Sequence, residues 1–179
     1  EFRRVLFRSM AAAAVYTRNL GATAVLALAS DHLVMGAEAF RAGCLEGLAA
    51  VKQGGIVTFG IPPTEPKTDY GYIRPGPEKI GAVMKVAGFV EKPNAQKAMQ
   101  YISEGLLWNS GNFMFSPDLL LSEMRSFEPA MAAAAEEAVA KATRKDRIVF
   151  LDKEAFDKAP AKSIDYAVME RTDKCWVVP

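Results

Sequence analysis

Gly88-Phe89-Val90-Glu91-Lys92-Pro93-Asn94 is the stretch on which the fold turns. Phe89-Val90 closes an apolar run that reads as a strand, while Pro93-Asn94 ends that strand and opens a helix with Asn94 as N-cap. A carboxylate and an ammonium, Glu91 and Lys92, stand at the junction. A second stretch, Trp108-Asn109-Ser110-Gly111-Asn112-Phe113, sets two amides and two small residues between the apolar runs 106–108 and 113–115. Unlike polar groups at strand ends are where α/β sheets bind ligands, in the crevice beyond the carboxyl ends of the strands.

Outward from these stretches, residues 11–18 read as the last turns of a helix closed by Asn19-Leu20-Gly21. Residues 24–29 read as a strand buried on both faces that stops at Ser30-Asp31-His32. A helix over 37–52 carries Phe40, Cys44, Leu48 and Val51 on one face, and Gly54-Gly55 ends it. Residues 56–61 are a second buried strand. Residues 62–77, rich in Pro, Gly, Tyr and Thr, read as an active loop whose centre, Tyr70-Gly71-Tyr72-Ile73, is extended. Residues 82–90 form a strand or pair of strands, and a helix runs from Asn94 to Gly105. Ser116-Pro117 opens a helix over 119–127, and 129–143 is an alanine-rich helix. Residues 141–147 read as a loop, 148–150 as an apolar contact, and Ser163 caps a helix over 164–171 before a last strand at 175–178. Strands alternating with helices predict a largely parallel, helix-covered sheet.

Composition narrows the function classes. Half of the 179 residues are hydrophobic and the formal net charge is +1, which gives no reason for nucleic acid or an acidic membrane as partner. The two cysteines, Cys44 and Cys175, lie far apart without CxxC spacing, so the simplest reading is a reduced, cytoplasmic protein with buried thiols. A single histidine, His32, excludes a multi-histidine zinc site. Arginines followed by alanines near the start imitate a signal peptide, but Arg18 and Asn19 interrupt the run, and no stretch is long enough to span a membrane. Residues 1–9 fit no element that follows and precede Met10; they read as a non-native leader.

Several residues are suited to chemistry, each with a plainer alternative. Asp31 at a strand end could hold Mg²⁺, which keeps its waters and takes few protein ligands, or could cap the next helix. Lys92 could neutralise phosphate oxygens and Glu91 accept hydrogen bonds from sugar hydroxyls, or the two could form a solvated ion pair. Asn109 offers donor and acceptor to adjacent hydroxyls and Gly111 allows close approach, or Asn109-Ser110-Gly111 is a turn. Tyr70 and Tyr72 could line a sugar ring or pack the loop. His32 could serve as a base or as a structural residue, and Trp108 and Trp176 read as core.

In order along the chain stand Ser30-Asp31-His32, Val57-Thr58-Phe59-Gly60-Ile61-Pro62-Pro63-Thr64, Tyr70-Gly71-Tyr72-Ile73, Phe89-Val90-Glu91-Lys92-Pro93, Trp108-Asn109-Ser110-Gly111 and Ser163-Ile164-Asp165-Tyr166-Ala167-Val168-Met169-Glu170. That order resembles the sugar nucleotidyltransferases, and within them the bacterial mannose-1-phosphate guanylyltransferases, including those fused to a phosphomannose isomerase. The resemblance runs over about residues 10–179. It implies a Rossmann-like nucleotidyltransferase fold, a mixed and mostly parallel sheet covered by helices. It implies an Mg²⁺-dependent reaction in which GTP and mannose 1-phosphate give GDP-mannose and pyrophosphate. By motif position Asp31 would bind the metal, and Lys92, the catalytic candidate, the sugar phosphate. Glu91 and Asn109 would hold mannose hydroxyls, with Gly71 and Gly111 giving close backbone approach. A homo-oligomer is compatible with the resemblance.

The departures are as informative. Ala29 precedes Ser30-Asp31-His32 where the family has proline, and Lys67 and Asp69 stand where Glu and Gly are usual. The family's first strand and its Gly-rich, Arg-containing triphosphate loop have no counterpart in these residues, and the chain stops before the segment expected to carry a second metal-binding aspartate. The expectation is therefore a nucleotidyltransferase domain over 10–179 that is truncated at both ends, inactive alone. Two alternatives stand beside it: a uridylyl- or thymidylyltransferase acting on glucose 1-phosphate, and a non-catalytic sugar-phosphate-binding or regulatory subunit.

Overall fold

The computed structural model describes residues 2–179. They divide into two compact units, one of residues up to Val25 together with Pro117–Arg171, the other of Leu26–Ser116 together with Thr172–Pro179.

The second unit holds the sheet. Its strands are β1 (Val25–Ala27, which begins at the unit border), β2 (Ile56–Ile61), β3 (Gly71–Ile80), β4 (Val83–Glu91), β5 (Leu107–Phe115) and β8 (Cys175–Val178), in the order β1-β5-β2-β8-β4-β3. β3 also pairs with β5, so β5, β2, β8, β4 and β3 close into a ring of hydrogen-bonded neighbours. The α/β class and the mixed sheet are as expected, but the parallel share is smaller. Among the pairings described, β2–β8 is parallel, while β2–β5, β3–β4, β3–β5 and β4–β8 are antiparallel. The reason is local: β3 and β4 are joined by a tight turn through Gly81 (φ 61), which forces a hairpin. The loop expected over 62–77 is accordingly strand from Gly71 onward, and Pro75 sits at register shifts of the β3–β4 ladder, where a proline costs no ladder bond.

β2 and β8 fill the centre because they are largely apolar; Ile56, Val57, Val177 and their neighbours are buried. Helix α2 (Ala37–Lys52) packs on β2, β5 and β8, its Gly43 and Gly47 lying against Val178 and Val57. Helix α3 (Ala95–Ser103) starts at Asn94, whose side chain accepts from the Lys97 N–H, and covers Tyr72, Leu106 and Trp108 through Ala98. β1 is shorter than expected and half-exposed, so the reading of a strand buried on both faces fails there.

The first unit is helical: α1 (Phe2–Asn19), α4 (Pro117–Phe127), α5 (Pro129–Ala140) and α6 (Lys153–Asp157). Residues 2–9, expected to form no element, are the first turns of α1, and Phe7 is fully buried. Ala11, Ala12 and Ala14 of α1, and Ala132, Ala134 and Ala135 of α5, are buried, and the two helices pack on each other. Residues 141–147 are not a loop. β6 (Thr143–Lys145) and β7 (Ile148–Phe150) form a hairpin whose turn puts Asp146 at φ 54. The helix expected after Ser163 is a π-helical turn, Asp165–Met169, with the Glu170 N–H reaching back to Asp165 O at 2.9 Å.

Candidate functional site

Three of the expected site residues meet because β3 is shared by β4 and β5. Gly71 opens β3 directly opposite Glu91 at the end of β4, and the next residue, Tyr72, lies opposite Trp108 of β5. Asn109, one step beyond Trp108, is thereby brought to the same corner. A Cβ built on Gly71 would stand 2.7 Å from Glu91 Oε2 and 3.4 Å from Asn109 Cβ. A side chain at position 71 would press on both neighbours, so glycine is what the fold needs here.

The Glu91 side chain is 6% exposed and pairs with the ammonium of Lys92, which is 42% exposed. A buried carboxylate held beneath a half-exposed cation differs from the solvated pair considered from sequence. Lys92 also adopts a left-handed backbone conformation, φ 51, and its N–H donates to Tyr70 O at 3.1 Å. A non-glycine residue in that region is strained and persists there only where its surroundings impose it, and such residues concentrate where a ligand is held.

Asn109-Ser110-Gly111 is not a plain turn. Three residues of β2, Thr58 to Gly60, span five of β5, Asn109 to Phe113, so β5 bulges outward between them with Gly111 at φ 75. Within the bulge the Gly111 N–H donates to Asn109 Oδ1 at 3.2 Å, and the Asn112 N–H to Ser110 Oγ at 3.2 Å. Asn112 is buried, and its Oδ1 accepts from the Ala29 N–H at 2.9 Å. That bond ties the bulge to the chain two residues before Asp31.

Asp31 is exposed in the segment between β1 and α2. It does not cap α2, which begins after Gly36 without a side-chain cap. Among the described residues no three His, Cys, Asp or Glu side chains gather in a metal-binding group. A lone exposed carboxylate fits Mg²⁺ in the mode where water and ligand phosphates supply the remaining oxygens, not an all-protein cage. His32 is likewise exposed.

The remaining candidates pack. Tyr72 is fully buried and donates to Lys67 O at 2.9 Å, so it lines no ligand. Tyr70 is half-buried, edge-on to Trp108 at 5.1 Å. Lys67 bridges to Glu65 at 2.8 Å, which raises its pKa above the ordinary lysine value. Trp108 and Trp176 are buried, as expected. Cys44 and Cys175 are not joined in a disulfide; Cys175 is buried and Cys44 half-buried, with burial pushing the Cys44 thiol upward.

Sequence reasoning missed Thr58 and Asn112 as parts of the site. Thr58 is fully buried, and its hydroxyl lies 2.6 Å from Asn109 Oδ1 and 3.2 Å from Asn112 O. The signal was present: Thr58 is a polar side chain inside an apolar strand, and such a group needs a partner.

The chain is 46% identical over 164 residues to the xanthan biosynthesis protein XanB of Xanthomonas campestris pv. campestris strain B100, covering 91% of this chain and 35% of that protein. It is 41% identical over 160 residues to the mannose-1-phosphate guanylyltransferase of Escherichia coli K12, covering 87% of this chain and 34% of the relative. The chain thus spans about a third of the length of the curated relatives it matches. The crystal structure of mannose-1-phosphate geranyltransferase from Thermus thermophilus superposes with a TM-score of 0.85 at 35% identity, over 96% of this chain and 49% of that one. The family model described as Nucleotidyl transferase matches residues 8–176, and the chain belongs to the nucleotidyl transferase family.

Proposed function

We propose that this chain is the sugar-phosphate side of a mannose-1-phosphate guanylyltransferase. The observation that carries the proposal is the corner at Gly71, where Glu91 and Asn109 flank a residue without a side chain and the half-exposed Lys92 pairs with Glu91. A carboxylate takes hydrogen bonds from sugar hydroxyls, an amide complements it, and an ammonium beside them suits a phosphate. The names of the relatives supply the substrates.

In the proposed reaction a phosphate oxygen of mannose 1-phosphate attacks the α-phosphorus of GTP. The bond from that phosphorus to the bridging oxygen breaks, and pyrophosphate leaves. The enzyme forms no covalent bond; Glu91 and Asn109 orient the sugar, and Lys92 offsets the charge of its phosphate. Asp31 is the residue that would hold Mg²⁺, and the ion when bound supplies charge neutralisation on the phosphates. The 179 residues contain no Gly-rich, Arg-containing loop to cradle a triphosphate, so the chain by itself binds sugar phosphate without turning over. No described helix is long and apolar enough to cross a membrane, and a cytoplasmic enzyme fits its soluble substrates and unbridged cysteines.

Pyrophosphate release tests the proposal. The protein expressed from its whole natural reading frame forms GDP-mannose and pyrophosphate from GTP and mannose 1-phosphate, faster than from UTP and glucose 1-phosphate. Equal or better use of the second pair would overturn the mannose reading. The 179-residue chain alone releases no pyrophosphate; turnover at an ordinary enzymatic rate would refute that part.

A further inference from the structure

Asp31, the carboxylate assigned to Mg²⁺, stands on a stretch with little structure of its own. β1 ends at Ala27, no helix or strand begins before Ala37, and residues 30–36 are all exposed. A ligand on such a stretch binds a metal weakly unless its backbone is held, because binding must otherwise offset the entropy of ordering it. The hold comes from Asn112, a polar side chain of β5 that is only 5% exposed. Its Oδ1 accepts from the Ala29 N–H at 2.9 Å, two residues past the end of β1 and two before Asp31. The Ala29 N–H can only donate, which fixes the orientation of the amide. Among the described residues no other side chain hydrogen-bonds to residues 28–35. The main chain of Asn112 is anchored in its turn. Its N–H donates to Ser110 Oγ within the bulge, and its carbonyl lies 3.2 Å from the Thr58 hydroxyl of β2.

We propose that Asn112 is a positioning residue that seats the Asp31 turn on the β5 bulge. This deepens the reading of Asp31 as the residue that would hold Mg²⁺, and rests on it. One buried side chain then fixes the carboxylate on the metal side to the strand that carries Asn109 on the sugar side. Ala29 stands at the position where proline is usual in the family. A proline there would fix φ by its ring and offer no N–H. Alanine leaves φ free and supplies the N–H that Asn112 takes, so the hydrogen bond does in this chain the stiffening that a ring would do.

The test follows the Asp31 backbone resonance of the ¹⁵N-labelled 179-residue chain, with mannose 1-phosphate present, as Mg²⁺ is added. Asn112→Leu keeps the volume and loses the acceptor. It should need roughly three- to tenfold more Mg²⁺ for the same shift at Asp31, the loss of about one hydrogen bond, and its Ala29 N–H should exchange faster with solvent. Adding Ala29→Pro to Asn112→Leu should recover most of the wild-type Mg²⁺ response, because the ring restores the restraint. A side chain that merely filled the core could not be replaced by a ring at residue 29. A folded Asn112→Leu chain with the wild-type Mg²⁺ response overturns the proposal, and so does a double variant no better than Asn112→Leu. In wild type, the absence of any Mg²⁺-dependent shift at Asp31 refutes the metal reading beneath the proposal, an outcome distinct from a wild-type shift that Asn112→Leu leaves intact. Should Asn112→Leu fail to fold, Asn112→Ala, which also removes the acceptor, is read by the same two outcomes.

Discussion

Gly71 and Glu91 stand opposite each other across the β3–β4 ladder with no room for a methyl group between them, since a Cβ on Gly71 would lie 2.7 Å from Glu91 Oε2. The atom in the way is the far end of a side chain, so the fold can yield by moving the carboxylate. Gly71→Ala is therefore expected to keep its melting temperature within a few degrees while weakening mannose 1-phosphate about tenfold or more, because Glu91 leaves its place. Unchanged affinity by calorimetry would mean that Glu91 does not touch the sugar.

Lys92 joins charge and backbone strain, and two substitutions separate them. Lys92→Ala and Lys92→Gly both remove the ammonium and should lose sugar-phosphate affinity by roughly 10- to 100-fold, the size of a charge-assisted hydrogen bond. At φ 51 glycine relieves a conformation that costs an L-residue about 1 kcal/mol, so Lys92→Gly should be the more stable of the two. Denaturant melts of both variants check the ordering. A wild-type affinity in either would remove Lys92 from phosphate binding.

These residues show what the sequence made legible. Phe89 to Asn94 read as strand end and helix start because proline and an N-cap residue mark the boundary chemically, and β4 ends and α3 begins there. Glu91, Gly71 and Asn109 were legible as types at strand ends, but their meeting was not. It depends on β3 pairing with both β4 and β5, a long-range register that periodicity does not encode. The antiparallel hairpin and the β5 bulge were missed for the same reason. Alternation of strands and helices suggests a parallel sheet until a turn such as that at Gly81 reverses the chain. The π-helical turn after Ser163 carries an ordinary helical sequence, and only its hydrogen bonds distinguish it.

The bulge also rests on Gly60, which lies opposite Asn109. A Cβ there would come within 2.5 Å of Leu107 Cδ1 and 2.9 Å of Val177 Cγ2, both packed in the sheet. Gly60→Ala should destabilise the chain by about 1–3 kcal/mol through overpacking and displace Asn109 from its register. A chemical melt measures the first effect and the Asn109 side-chain resonances the second. A variant as stable as wild type would show that the sheet has slack at this point.

In the helical unit, Glu137 of α5 accepts from Lys141 at 2.6 Å and from Lys158, beyond α6, at 3.1 Å. The hydrogen bonds from Lys141 and then Lys158 hold its carboxyl below the ordinary glutamate value. A depressed folded pKa means that the unfolded chain binds this proton first as pH falls. The contribution is thus present in full above the unfolded value and is lost as pH drops through the folded one. Since the pair is exposed, the effect is small and screened by salt. Glu137→Gln should melt slightly below wild type at pH 7 in low salt, and the two curves should converge on acidification below about pH 4. A difference that persists at pH 3, or grows in high salt, would assign the role of Glu137 to packing and not to its charge.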